Sequence, residues 1–441
     1  MNFFSPQFWL LVSVAFAVYY FLPRQSQNWL LVVTNIIFLY STGWKSLVVY
    51  LLSASLGYLT YLKLTNPQSS HKKLILRYFL IFQVGILFFF KLVVSVRGEL
   101  PLGVSYYSMA IIAFVLEVYW RRTEVSLDLC EFLVSSGFFP ILGMGPIERF
   151  SKFSGQLKSK RNLNWDSIQS GFYHVAMGVF KITCISNVLD ASINQQEVLH
   201  KMYGLGLVIY CFLSFMQLYS QFSGYTDIAT GISLFFGLKI GKNFDQPYFS
   251  SGIADIWRRW HISLATWLRD FVFLPIVLKT KNINLSMLVV FGLVGLWHGV
   301  YLVNLYWVIY WVGVYLCYLA FKKLHIKNLN FPGQNYLVVV LTVLVISLST
   351  LSFIIPITGF IDLMSRIFPF NPASIWSFID YSRLTYLKLF FVGLSLIFMM
   401  SIETASKKNF SYLLNLKTLS LIFLIGLFGK FVSQVFWYLA F

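Results

Sequence analysis

The chain has 441 residues, of which 58% are hydrophobic and only 11% charged. Soluble domains carry roughly a quarter charged residues, so a soluble globular protein is excluded and a multi-spanning membrane protein is required. The formal charge of +18 does not indicate nucleic acid, which needs Lys and Arg gathered on a soluble face; here they fall between apolar runs, where positive-inside topology and anionic headgroups place them.

The N-terminal run is apolar from Phe3 and lacks a positive n-region or a small-residue cleavage site, so it reads as an uncleaved first helix. A crossing needs about 20 apolar residues, and about twelve candidate crossings are predicted. The first runs from Phe8 to Leu22, the second from Trp29 to Tyr40 and the third from Leu47 to Leu62. Lys63, His71, Lys72, Lys73 and Arg77 then mark a cytoplasmic loop. Leu74 to Val94 leads outward, and Leu102 to Trp120 returns to Arg121 and Arg122. Counted back from these charges, the N-terminus lies outside.

The stretch at about 128–150 cannot alternate as a span, because basic residues flank it on both sides. Gly137, Pro140, Gly143, Gly145 and Pro146 interrupt its helix. It is predicted as a re-entrant hairpin, which is tolerated only where protein or a cavity surrounds the backbone. Ile168 to Leu189 and Leu205 to Phe222 cross out and back.

Residues 223–281 are too charged for an ordinary span, carrying Asp227, Lys239, Lys242, Asp245, Asp255, Arg258, Arg259, His261, Arg269 and Asp270. Helices broken at Gly224, Gly231, Gly237 and Pro247 are expected here, lying partly in the membrane plane. Leu285 to Val300, Leu302 to Phe321, Val338 to Ile355, Leu387 to Met400 and Leu419 to Leu439 follow, the last containing Lys430. Lys407 and Lys408 fall on the inner side and the C-terminus comes out external. No fixed-period repeat or long linker divides residues 1–441, so a single membrane domain is expected. Cys130, Cys184, Cys211 and Cys317 are far apart, so their spacing supports neither a disulfide framework nor a metal site.

Charge at membrane depth is expensive and tends to be functional, which singles out two stretches. His298 lies in Gly295-Leu296-Trp297-His298-Gly299, roughly 25 Å along a helix that starts near Lys281. Gly292, Gly295 and Gly299 give that helix a side without side chains, where a backbone or a substrate can approach closely. A neutral imidazole there suits proton abstraction from a hydroxyl; interhelical packing is the alternative. In Asp255-Ile256-Trp257-Arg258-Arg259-Trp260-His261, helical spacing pairs Asp255 with Arg258 and Arg259. It also lines up Trp257, Trp260, Leu264 and Trp267 on one aromatic face. Such a helix could rest at the interface, or its guanidinium groups could bind a phosphate or carboxylate of a carrier. Asp227, after Gly224, reads equally as a helix N-cap. His174 near Lys181 reads as packing or as a relay. Walker, Rossmann, HExxH and GxSxG patterns are missing, and no covalent nucleophile is signalled.

At these residues the chain resembles the membrane-bound O-acyltransferase family, in the bacterial group of the alginate O-acetylation and teichoic acid D-alanyl transfer proteins. The resemblance rests on Leu100 to Tyr106, Phe139-Pro140, Gly145 to Phe150, Phe222 to Asp227, Asn243-Phe244, Pro247-Tyr248, Asp255 to Leu264, Trp267 to Asp270 and Trp297-His298-Gly299. It implies an all-α fold: a ring of about 11–12 transmembrane helices, with re-entrant and in-plane helices around a central tunnel. It also implies that His298 is the general base on an acceptor hydroxyl, and that His261, with Trp260, orients or polarises the acyl carbonyl. Trp297, Arg258, Arg259, Asp255, Asp227, Asn243 and Arg149 become candidate tunnel or substrate contacts. The resemblance implies no bound cofactor and a cytoplasmic thioester donor, acetyl-CoA or an acyl carrier protein. The acceptor is a hydroxyl of an exported polysaccharide or cell-wall glycan, reached directly or through a periplasmic or extracellular partner transferase, in a bacterial cytoplasmic membrane. Acetyl is the expected acyl group and D-alanyl the alternative. A transporter or lipid flippase is the reading from another class, but it should show two related halves, and none is visible.

Overall fold

The computed structural model describes residues 2–97, 101–193, 199, 201–299, 302–323, 334–351, 362, 365–367, 374–382, 386–405 and 412–430. Among these residues the structure is helical, without strands. The helices before the hairpin are α1 (Pro6–Tyr19), α2 (Arg24–Thr42), α3 (Trp44–Thr65), α4 (Lys72–Arg97) and α5 (Val104–Tyr119). Helix α6 (Leu129–Gly137) opens the hairpin. Next come α7 (Trp165–Ile193), α8 (Gly204–Phe235), α9 (Ile253–Arg259) and α10 (Ile262–Thr280). The remainder are α11 (Ile283–His298), α12 (Leu302–Lys323), α13 (Gln334–Leu351), α14 (Ser374–Tyr381), α15 (Tyr386–Ala405) and α16 (Tyr412–Phe428). The chain is an all-α polytopic membrane protein.

Among the described residues, fewer of the apolar runs form full-length spans than their composition suggests. Six helices among the described residues are long and apolar enough to cross a bilayer, or seven if the bent pair α9–α10 counts as one. They are α3, α4, α7, α8, α12 and α15, while α1, α5, α11, α16, residues Asn335–Leu351 of α13 and the hairpin form shorter apolar helices of 10–17 residues. Proline explains part of this: Pro6 opens α1 and Pro23 follows it, and proline restricts continuation of a helix.

Helix α8 is the centre of the molecule. Its 32 residues span about 48 Å at 1.5 Å per residue, longer than the roughly 30 Å hydrocarbon core. In α7 and α8, 72% and 67% of the apolar window is buried, against 17% in α4 and α12, so the first pair is interior and the second faces outward. Gly224 and Gly231 do not break α8, contrary to the sequence expectation. They abut α7 instead: a Cβ on Gly224 would lie 2.9 Å from the Gly178 carbonyl oxygen, and one on Gly171 would lie 2.9 Å from that of Gly231. These glycines serve close helix–helix approach, and neighbouring helices supply the packing that offsets their low helix propensity. The chain leaves α8 only at Phe236 and Gly237, the latter in a left-handed conformation (φ 67°). Asp227 therefore sits in mid-helix and caps nothing.

The hairpin breaks where the glycines and prolines place the break. Asp128 and Glu131 form a capping box at the start of α6, and a short turn over Phe139–Ile141 follows. Asn35 on α2 accepts a hydrogen bond from the Phe139 backbone N–H at 2.8 Å. Tyr50 on α3 donates to the Leu133 carbonyl at 2.8 Å. Phe138 and Phe139 are fully buried, so the irregular backbone here is covered by protein.

The single aromatic helix expected over residues 255–267 does not form. Helices α9 and α10 meet at an angle of 109°, and His261 at the corner is left-handed, with φ 44° and ψ 52°. Non-glycine residues in that region are strained and tend to sit at functional sites. Trp257, which packs on Trp311, and Trp260, which packs on Phe244, still share one cavity with Leu264, whereas the Trp267 indole is turned away and donates to the Met109 carbonyl at 2.9 Å. On α11, Gly295 meets α12, where a Cβ would lie 3.3 Å from the Asn304 carbonyl oxygen, whereas Gly292 faces open space and Gly299 ends the helix. Only one of the three expected smooth positions is therefore a packing contact. Helix α16 ends at Phe428, so Lys430 follows the last described helix rather than lying within it. Val300, Lys327, 352–355, Lys407, Lys408 and 431–441 lie outside the described residues. The four cysteines form no disulfide.

Candidate active site

His298 is the last residue of α11, where Gly299, with φ 141°, turns the chain away. Its side chain is buried, and its ring contacts those of Trp297 at 4.8 Å and Trp307 at 5.7 Å. His261 arrives from a different direction, at the corner between α9 and α10. It too is buried, with its ring 4.9 Å from Phe222 and 6.1 Å from Trp297. Trp297 thus touches both imidazoles.

The loop before α9 fixes His261. Asn243, fully buried, lies with Oδ1 3.2 Å from His261 Nδ1 and accepts from the Ser263 hydroxyl at 2.7 Å. Its backbone carbonyl accepts from the Ile262 N–H at 2.9 Å. A residue of the irregular 236–246 stretch therefore sets both the backbone and the ring of the corner histidine.

His261 and His298 line one cavity of about 60 Å³, with Trp257, Trp260 and Leu264 from α9–α10 and Trp307 and Trp311 from α12. Ser349 and Thr350 of α13 add hydroxyl groups to it. Beside it, an apolar chamber of about 200 Å³ lies between α4, α5, α10 and α11, lined by Trp297 and by Lys91. The Lys91 ammonium lies 5.6 Å from the Trp297 ring centroid, within cation–π range. On the other side of Asn243 is a polar cavity of about 410 Å³, into which Asp227, Lys181, His174 and Glu403 project. Lys181 is 2.6 Å from Asp227 and 2.5 Å from Glu403, and His174 is 3.5 Å from Asp227. Glu403 also accepts from the Tyr219 and Tyr248 hydroxyls. Two chambers of opposite polarity thus flank the paired imidazoles.

Among the sequence candidates, His261, His298 and Trp260 share one cavity, Trp297 adjoins it, and Asn243 and Asp227 belong to the polar side. Asp255, Arg258, Arg259 and Arg149 line none of these three cavities. Asp255 binds Arg259 at 2.8 Å, Arg259 also donates to the Asp245 carbonyl at 3.2 Å, and Arg258 is exposed. Arg149 pairs with Asp270 at 3.0 Å and Glu117 at 3.4 Å and lies over the Phe271 ring. Its neighbour Glu148 accepts from the Gly241 N–H. Burial pushes the Glu148 carboxyl up to about 7, against the pull of that hydrogen bond.

Sequence reasoning passed over Lys91, Glu403 and the α12 tryptophans. The signal for the first two was present: a second cation beyond Arg77, inside the run from Leu74 to Val94, and one acid just after Leu387 to Met400. Ionisable residues in such places are expensive. Trp307 and Trp311 carried none, because apolar residues in an apolar helix look alike until their neighbours are known.

The profile of MBOAT, the membrane-bound O-acyltransferase family, matches residues 71–331, more than half of the chain. A probable alginate O-acetylase of Pseudomonas syringae pv. tomato is 34% identical over 228 residues, covering 49% of this chain and 42% of that protein. A peptidoglycan O-acetyltransferase of Helicobacter pylori is 30% identical over 343 residues, 65% of this chain and 64% of its own length. A teichoic acid D-alanyltransferase of Bacillus subtilis is 29% identical over 249 residues, 53% of this chain and 63% of that protein. The chain spans less than two thirds of the length of each of these relatives.

Proposed function

The chain belongs to the membrane-bound O-acyltransferase family, and we propose that it transfers an acetyl group from a cytoplasmic thioester to a hydroxyl of an exported polysaccharide or cell-wall glycan. The observation that carries this reading is the meeting of His261 and His298, from separate elements, at one small cavity between a polar and an apolar chamber. The acceptor O–H gives its proton to His298, and its oxygen attacks the thioester carbonyl. The tetrahedral intermediate collapses, the C–S bond breaks, and the departing thiolate takes the proton back from the imidazolium. Positioning and proton transfer supply most of the rate gain, each worth several kcal/mol in general. The donor is acetyl-CoA or an acyl carrier protein entering from the cytoplasm. The acceptor, or a partner transferase that carries the group onward, lies outside, as does the N-terminus.

A cavity of about 60 Å³ suits a two-carbon acyl group better than a long chain, and two of the three relatives described are named as acetylating enzymes. The similarity to a teichoic acid D-alanyltransferase keeps D-alanyl transfer as the second reading. Mass spectrometry of envelope glycans from cells with and without the gene separates the two by whether acetyl or D-alanyl esters disappear. Complementation with His298→Ala, verified as inserted in the membrane, should fail to restore the ester. Full restoration would end the proposal.

A further inference from the structure

His261 Nδ1 faces an oxygen. The Asn243 amide is oriented by its other neighbours: the Ser263 backbone N–H points to the oxygen at 3.4 Å and the Ser263 hydroxyl at 2.7 Å, and Asn243 Nδ2 is left buried without a partner among the described residues. A flipped amide would set N–H against a backbone N–H, which can only donate. In that orientation of the amide, the contact at 3.2 Å is a hydrogen bond donated by His261 Nδ1–H to the Asn243 carbonyl oxygen. In a neutral imidazole one nitrogen donates and the other accepts. His261 Nε2 is then a bare acceptor, and it is buried without a hydrogen-bonding partner among the described residues.

We propose that Asn243 is a positioning residue that locks His261 in the Nδ1–H tautomer, so that His261 enters the reaction as a hydrogen-bond acceptor for a second hydroxyl of the glycan, beside the one that gives its proton to His298, and does not polarise the thioester carbonyl. The proposal rests on the acyltransfer reading above and departs from the carbonyl-polarising role that the family resemblance suggests. A carbonyl oxygen offers no hydrogen, so an Nε2 lone pair repels it. The reacting O–H has one hydrogen, which goes to His298, so a neighbouring hydroxyl of the glycan is the acceptor group that satisfies Nε2. The lock is built from both sides of the corner: Asn243 also holds the Ile262 backbone N–H, and the strained φ of 44° at His261 orients the ring between Phe222 and Trp297.

The test uses the full chain purified in detergent, with ¹⁵N-labelled histidine and a His261→Gln sample to assign the resonance. The His261 signals should show a protonated Nδ1 and an unprotonated Nε2, and Asn243→Ala should move them toward the Nε2–H form that imidazole prefers in water. In transfer assays Asn243→Ala should lower kcat/KM for the acceptor about 10-fold or more, with KM for the thioester donor within about twofold. Asn243→Asp, whose carboxylate oxygen also accepts from Nδ1–H, should keep the tautomer and restore most of the acceptor kcat/KM. A protonated Nε2 in the unmodified protein overturns the inference, and so does a loss in Asn243→Ala that falls on the donor KM. The tautomer is read without any turnover, so an active His298→Ala enzyme would end the acyltransfer mechanism while leaving the tautomer assignment standing.

Discussion

Lys181 Nζ lies 2.5 Å from Glu403 Oε1, where the π-type turn of α7, Lys181–Ser186, meets α15. The same ammonium is 2.6 Å from Asp227 on α8, so one buried cation ties three helices together. Removing it leaves two half-buried carboxylates facing the polar cavity without their counter-ion. Breaking a buried pair from one side costs about 3–5 kcal/mol, because the remaining charge is uncompensated. Lys181→Met should therefore reduce thermal stability strongly in detergent, while Glu403→Gln should cost less because Asp227 still neutralises Lys181. Size-exclusion chromatography after graded heating measures both; equal losses would mean that the trio is not held by charge.

The glycines of α8 and α11 give a paired test of why they are glycines. A Cβ at Gly224 would lie 2.7 Å from Ile182 Cγ1, whereas Gly292 has nothing within 4 Å. Overpacking costs about 1–3 kcal/mol, and replacing glycine with alanine in a helix gains up to about 1 kcal/mol. Gly224→Ala should destabilise and Gly292→Ala should be neutral or stabilising, read as opposite shifts in melting temperature. Matching shifts would remove the close α7–α8 contact from the account.

At the hairpin, Asn35 satisfies the buried Phe139 N–H at 2.8 Å. An orphaned buried donor costs about 1–3 kcal/mol. Asn35→Leu should loosen the turn over Phe139–Ile141, seen as faster amide exchange at Phe139 and its neighbours. Unchanged exchange would show that α2 does not hold the hairpin.

Glu148 adds a pH dependence with a defined sign. Its carboxyl titrates near 7 in the fold against an ordinary value of 4.5, so between these values the folded state holds the proton more tightly than the unfolded chain. Linkage then makes stability fall as pH rises from about 4.5 through about 7. Glu148→Gln should flatten that slope in melting curves taken across the window. A slope that survives the substitution must come from another group.

The parts that sequence could reach were those where a local rule meets the lipid. Sparse charge and apolar runs require a helical membrane protein, because hydrocarbon leaves each backbone donor and acceptor to be satisfied within its own segment. Prolines and glycines marked the hairpin break, and the cost of burying imidazole and guanidinium singled out His261 and His298. What needed the tertiary structure was everything decided by a neighbour. Gly224 and Gly231 look like helix breakers until α7 is beside them. Arg259 resembles a ligand-binding cation until Asp255 and the Asp245 carbonyl consume it. The turn at His261, which separates Trp267 from Trp257 and Trp260 and brings two distant histidines to one cavity, is held by hydrogen bonds that Asn243, 18 residues earlier, accepts. Periodicity reports only which residues share a face of an unbroken helix, so it gave no sign of a bend imposed from outside the helix itself.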